Sequence, residues 1–298
     1  MENNSSAFRY EKTDAFTAPG SRGNPAACLF LRSDQKLTDR QMQEIASEHR
    51  GFVSEVVYCR EMDGKTFSLR YFSSECEVDF CGHGTIACMY SLIKQSAHLR
   101  NEKELMIRTK NAELPVYNRI PDDDAVFIAA PEPVYGNALP GLPQIAAALN
   151  VNQNSLSTEL PAALINAGLN TLIVPIKTLE CEISVTPDEQ VLKTFCADHG
   201  IDIVLIFCPS VQDSRHFAHT RVFAAKFGYL EDPATGSGNS AFGYYLLRNK
   251  LWKGENIAME QGGSDRAYNT VRLALEAGRV LFGGSATTRI RGEYLLDI

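Results

Sequence analysis

Short segments in which apolar and polar residues alternate recur along the chain. They predict strands over 8–17, 26–31, 55–59, 66–72, 104–108, 113–117 and 125–129, all mixing β-branched and aromatic side chains with polar ones. Helices are fewer and are recognised by their ends. Thr38-Asp39-Arg40-Gln41 reads as a capping box opening a helix through about Arg50. Thr186-Pro187-Asp188-Glu189 opens a second, with Pro at the first helical position, and Gly200 stops it after His199. Strands resume over 201–207 and 217–224, and again from 257 to the C-terminus, where Gly263, Gly278 and Gly283-Gly284 mark turns. The pattern is that of an α+β protein with more strand than helix.

Part of this pattern occurs twice. Arg70-Tyr71-Phe72 leads to Cys81-Gly82-His83-Gly84-Thr85-Ile86-Ala87, and Arg221-Val222-Phe223 leads to Thr235-Gly236-Ser237-Gly238-Asn239-Ser240-Ala241. Cys81 and Thr235 are 154 residues apart, about half of the chain. Each copy runs from a strand through a Gly-x-Gly turn into an apolar helix, with Ala87 and Tyr90 in one matched by Ala241 and Tyr244 in the other. Two similar lobes are expected, joined near 118–124.

Composition narrows the class. The 298 residues are 44% hydrophobic and 22% charged, enough for a large core, and the net charge of -7 without a basic tract argues against nucleic acid as a partner. The start of the chain, Met1 to Ser6, does not resemble a signal peptide, and no apolar run is long enough for a membrane span, so a soluble cytoplasmic protein is expected. In that compartment the eight cysteines are expected to be thiols, with Cys59, Cys88 and Cys208 buried as small hydrophobes.

The two turns are where chemistry is expected. The first turn of a helix offers unpaired N–H groups and the positive end of the dipole, so Gly82-His83-Gly84 and Gly236-Ser237-Gly238, converging on one cleft, would grip a carboxylate or a developing enolate. The competing explanation is that the glycines only allow tight packing. The titratable groups nearby are Glu55, at the start of an apolar strand, His83 inside the first turn, and Asp232 ahead of the second, where a capping role competes with a catalytic one. His216 and His219 are expected on opposite sides of a strand, and Asp122-Asp123-Asp124 reads as a solvated turn, so no metal site is expected. No nucleotide-binding glycine motif follows a strand, and no cofactor is expected.

Several motifs in order resemble the PhzF-like isomerases of phenazine biosynthesis, within the diaminopimelate epimerase-like superfamily. They are Asp14-Ala15-Phe16-Thr17 with Gly23-Asn24-Pro25-Ala26-Ala27, Ser54-Glu55, Glu77 with Cys81-Gly82-His83-Gly84-Thr85, Glu231-Asp232-Pro233-Ala234-Thr235-Gly236-Ser237, Glu260-Gln261-Gly262 and Gly283-Gly284. The chain departs from the family pattern at Gly51-Phe52-Val53, at Ala225 and at Asp265-Arg266.

The resemblance implies two lobes, each a curved, mostly antiparallel sheet around a central helix, with the site in the cleft between them and the C-terminal strands returning to the first lobe, so that 1–118 with 280–298 make the first lobe and 119–279 the second. It also implies a cofactor-free proton-transfer enzyme acting on a small carboxylic acid, usually as a homodimer. Carried over by position, Glu55 is the general acid/base, while His83, Asp232 and Ser237 order the substrate. The turns built on Gly82, Gly84, Gly236 and Gly238 bind it, the amides of Gly82, His83, Gly236 and Ser237 holding the carboxylate. A two-base racemase is the main rival, but it needs a Cys in each turn. Cys81 fits the first, whereas the second has Thr235, whose hydroxyl is too weakly acidic. A Cys/Thr pair also resembles the 3-hydroxyproline dehydratases of the superfamily. The third reading is a non-catalytic binding protein on the same fold, against which the joint presence of Glu55, His83, Asp232 and Ser237 argues.

Overall fold

The computed structural model of the protein describes residues 5–263 and 267–297, so 1–4, 264–266 (with the Asp265-Arg266 departure) and 298 lie outside the described residues. The chain forms two units, one made of 1–17, 22–128 and 283–298 and the other of 18–21 and 129–282. The passage from one to the other thus falls after Ile128, where the sequence pattern sets it near 118–124.

In the first unit β1 (Ser5–Ala15) is antiparallel to β2 (Asn24–Leu31). Helix α1 (Asp39–Glu48) then leads to β3 (Glu55–Glu61), parallel to β2, and β4 (Thr66–Ser73) is antiparallel to β3. After β5 (Glu77–Val78) and α2 (Gly82–Gln95), β6 (Glu104–Arg108) lies parallel to β4 and antiparallel to β7 (Glu113–Arg119). One turn of helix, α3 (Ile120–Asp123), precedes β8 (Ala125–Ala129), which is antiparallel to β7. The C-terminal strand is antiparallel to β1.

The second unit repeats this order. After β9 (Val134–Tyr135) and α4 (Leu142–Ala148), β10 (Ala163–Asn166) is antiparallel to β11 (Asn170–Pro175). Two helices, α5 (Leu179–Ile183) and α6 (Glu189–Asp198), lead to β12 (Ile203–Cys208), parallel to β11, and β13 (Ala218–Phe223) is antiparallel to β12. After β14 (Glu231–Asp232) and α7 (Gly236–Arg248), β15 (Ile257–Gln261) is parallel to β13 and antiparallel to β16 (Asn269–Glu276). The chain ends with β17 (Arg279–Gly284) and β18 (Ala286–Asp297). Both units therefore alternate antiparallel and parallel pairings in the same sequence, and each puts a long helix between the fourth strand and the next parallel one.

Side chains repeat as well. Arg70 on β4 bonds Glu77 on β5 at 2.8 Å, and Arg221 on β13 bonds Glu231 on β14 at 2.9 and 2.8 Å. The guanidinium groups stack on Phe72 and Phe223 at 5.1 and 5.0 Å. Repetition of both pairing order and ion pair makes coincidence a poor explanation of the sequence repeat.

The sheets are covered on both faces, which is why β2 and β12 read as continuous apolar runs. In the first unit α2 packs on β1, β2 and β3, while Met42, Ile45 and Ala46 of α1 join Leu29, Val56, Tyr58 and Phe72 in a separate core. In the second, α7 packs on β10, β11 and β12, and α4 and α6 supply Ile145, Leu192 and Cys196 to a core with Leu172, Val174, Val204 and Ile206. Every residue of α2 from Gly84 to Ser91 is buried, so it is apolar all round rather than amphipathic.

The capping box of α1 is present, Thr38 Oγ1 accepting from Gln41 N–H. At α6 the start differs from expectation: Asp188 is the N-cap, its carboxylate accepting from Val191 N–H, and Pro187 stands before it. A carboxylate that meets the N3 amide defines the cap, and it outweighs the preference of Pro for position N1. All eight cysteines are free thiols, and Cys28, Cys59, Cys81, Cys88, Cys196 and Cys208 are buried. Among the described residues no helix is long and apolar enough to cross a membrane.

Candidate active site

Strand periodicity brings the first unit's chemistry together. Val56 and Tyr58 of β3 belong to the α1 core, so Glu55 and Val57 point to the other face, toward α2. Val57 indeed reaches Gly84 in the first turn of α2. Glu55 Oε2 lies 3.1 Å from His83 Nε2, and Cys81 Sγ lies 3.5 Å from His83 Nδ1. The Glu55 Oε2 atom is buried, and no donor among the described residues meets it with hydrogen-bond geometry. The side chains of His83 and Glu55 keep 13% and 19% of their surface exposed, enough for a small ligand to reach them.

Cys81 is the N-cap of α2, its sulfur accepting from Gly84 N–H at 3.3 Å. Burial, with the Glu55 carboxylate, pushes its thiol pKa up against the opposing pull of His83, so it is protonated at neutral pH. Burial works against a charged His83, but the Cys81 sulfur and the Glu55 carboxylate outweigh it and hold the ring well above its ordinary value. The first turn therefore brings a carboxyl group, an imidazole with a raised pKa and a thiol with a raised pKa close together. With Gly84 N–H taken by sulfur, the amides of Gly82 and His83 are the ones left for a ligand.

The second unit's turn is built differently. Asp232 is buried, and its carboxylate accepts a hydrogen bond from Thr235 Oγ1. Thr235 consequently does not cap α7 with its side chain, and the first-turn amides of Gly236, Ser237 and Gly238 keep their donors free of it. Gln261, fully buried, ties the turn together: Oε1 accepts from Thr235 N–H at 3.0 Å and Asn239 Nδ2 at 2.7 Å. Its Nε2 donates to the Asp232 carbonyl at 3.0 Å and to Thr235 Oγ1 at 3.1 Å. Sequence reasoning gave Gln261 no role, although it shares the Gln261-Gly262 motif with the resemblance. Its partners come from β14 and α7, so only the fold shows them.

The glycines have packing reasons of their own. A Cβ on Gly236 would come within 2.4 Å of the buried Phe282 ring, and one on Gly84 within 2.8 Å of Val57 and 3.0 Å of Cys81 Sγ. Gly238 is tight against Ile203 at 3.3 Å. His216 and His219 go to different carboxylates, Glu260 and Glu182 respectively, and share no ligand geometry. Asp122 and Asp124 are exposed, and Asp124 pairs with Lys94 at 2.8 Å.

Superposing the repeat on the chemistry exposes an asymmetry. The offset that matches Cys81 with Thr235 matches His83 with Ser237, and the start of β3 with the start of β12 matches Glu55 with Ile203. Acid, thiol and imidazole in the first copy thus correspond to an alkyl group and two hydroxyls in the second.

Residues 13–292 match the PhzC-PhzF family model, described as phenazine biosynthesis-like protein. The chain is similar to the uncharacterized isomerase YfhB of Bacillus subtilis, 29% identical over 84% of this chain and 85% of that protein. It also resembles the crystal structure of a Bacillus anthracis phenazine biosynthesis protein of the PhzF family, with a TM-score of 0.84 and 25% identity over 98% of this chain and 100% of that one. A hydroxyproline epimerase of Agrobacterium vitis shares the fold alone, with a TM-score of 0.63 and 12% identity over 98% of this chain and 92% of that one. The chain belongs to the PhzC-PhzF family of phenazine biosynthesis-like proteins.

Proposed function

We propose that the protein is an isomerase that relocates a proton within a small carboxylic acid, with Glu55 as the single acid/base. The relatives' name of isomerase supports the reaction class, and the asymmetry of the duplicated turn supports one base rather than two. A two-base racemase needs a comparable acid in each copy, and Thr235 opposite Cys81 is a hydroxyl already committed to Asp232. Cys81 itself is a poor base, since burial keeps it a thiol.

In this reading Glu55 takes a proton from the acidic carbon and returns it at another position of the same molecule, so no net proton is gained or lost. His83, whose Nε2 lies 3.1 Å from Glu55 Oε2, orients the carboxyl group before the transfer. The start of α2 offers the amides of Gly82 and His83, and the start of α7 those of Gly236 and Ser237, as donors for the negative charge of a carboxylate or of the enolate that develops, and Asp232 and Ser237 are proposed to order the substrate. The experiment is a panel of small cyclic and amino-acid carboxylic acids incubated with the protein in deuterated water. Enzyme-dependent exchange of one carbon-bound hydrogen is expected for at least one acid. If none exchanges across the panel while an acid is still bound, the binding-protein reading takes its place.

A further inference from the structure

We propose that Glu55, Cys81 and His83 also form a site for a soft divalent cation, Zn2+ in chemical class, which acts as an inhibitor of the proton transfer and not as its cofactor. One ligand atom from each side chain lies within 4.8 Å of the others. Two separations are narrower: Cys81 Sγ to His83 Nε2 is 3.8 Å and His83 Nε2 to Glu55 Oε2 is 3.1 Å. Tetrahedral zinc, with bonds of about 2.0 Å to nitrogen or oxygen and about 2.3 Å to sulfur, separates its ligand atoms by about 3.5 Å, so small side-chain shifts suffice. Thiolate, imidazole and carboxylate are the donor set that this ion prefers, and three protein ligands leave a fourth position for water.

Two further observations favour occupancy. Glu55 Oε2 is buried, and His83 Nε2, 3.1 Å away, does not meet it with hydrogen-bond geometry, so a lone pair is left for a cation. The partial exposure of Glu55 and His83 leaves an entry path. The matching positions of the second unit, Ile203, Thr235 and Ser237, hold no such set, so one ion per chain is expected. Binding forms a metal–sulfur bond and breaks the S–H bond of Cys81, whose proton leaves to water together with any proton on His83.

The inhibitory part rests on the reading of Glu55 as the base, because a metal-bound carboxylate cannot accept the substrate's proton. The binding part does not. Titration of the full chain with Co2+ is expected to give a thiolate-to-cobalt charge-transfer band that saturates at one ion per chain. Cys81→Ser, which preserves a capping oxygen for α2, abolishes the band, whereas Cys76→Ser, at an exposed thiol, leaves it intact. Glu55→Gln keeps the band but weakens binding by about tenfold or more. In the exchange assay Zn2+ suppresses turnover reversibly, a chelator restores it, and Cys81→Ser needs at least about tenfold more Zn2+ for the same suppression. Absence of the band in the natural sequence, or its persistence in folded Cys81→Ser, overturns the proposal. If the band follows the prediction but Glu55→Gln still turns over, the cation site stands and the base assignment falls.

Discussion

At the scale of single residues, the chemistry depends on which members of the close trio Glu55, Cys81 and His83 carry protons. His83 has a raised pKa in the folded protein, so it contributes stability that is complete below about pH 6.5 and lost as pH rises through the folded value. His83→Gln should therefore cost more stability near pH 6 than near pH 9, read by denaturant unfolding at both pH values. An equal cost at the two would show that the ring is not charged in the native state. Glu55 and His83 were both legible in the sequence as titratable groups beside a glycine turn. Their contact was not, because it depends on β3 and α2 packing face to face across 28 positions of chain. Cys81 was read only as a rival base; that it caps α2 is a matter of one sulfur–amide distance.

At the scale of elements, the two turns are held by different means and should fail differently. Gly236→Ala places a methyl group into the buried Phe282 ring, and overpacking of this kind costs about 1–3 kcal/mol, measurable by denaturant unfolding. Unchanged stability would mean that β17 yields freely there. The paired arginines make a second contrast. Arg221 is 7% exposed and donates from Nη1 to the carbonyls of Glu182, Ile183 and Val185, whereas the Arg70 side chain is 30% exposed between Asp39 and Glu77. Arg221→Met should cost about 3 kcal/mol and Arg70→Met about 1 kcal/mol. Equal losses would contradict the view that burial separates the two copies. Elements with local signals were readable, as Thr38 and Gln41 show, since a capping box is complete within four residues. Strands β10 and β11 and helix α4 were not predicted, because buried on both faces or short they lack the alternation that announces an element.

At the scale of the whole molecule, a duplicated chain has kept one pairing order twice and diverged at the helix starts. The duplication was visible in the sequence through the Arg-x-Phe strands and Gly-x-Gly turns, and the shared pairing order strengthens it. The proposed reading divides labour between the copies, with the proton carried by Glu55 in the first unit and a turn around Asp232, tied together by Gln261, in the second. The proposed proton transfer uses no metal, so protein treated with a chelator and dialysed should keep full exchange activity, and restoration only by an added divalent ion would contradict this. The most direct test of the central claim is the rate of hydrogen exchange in deuterated water on a responsive acid, compared between the natural sequence, Glu55→Gln and Cys81→Ser. The account predicts a loss of more than about a hundredfold for folded Glu55→Gln, with Cys81→Ser still active. Normal exchange by Glu55→Gln together with an inactive Cys81→Ser would contradict it and put the base on sulfur.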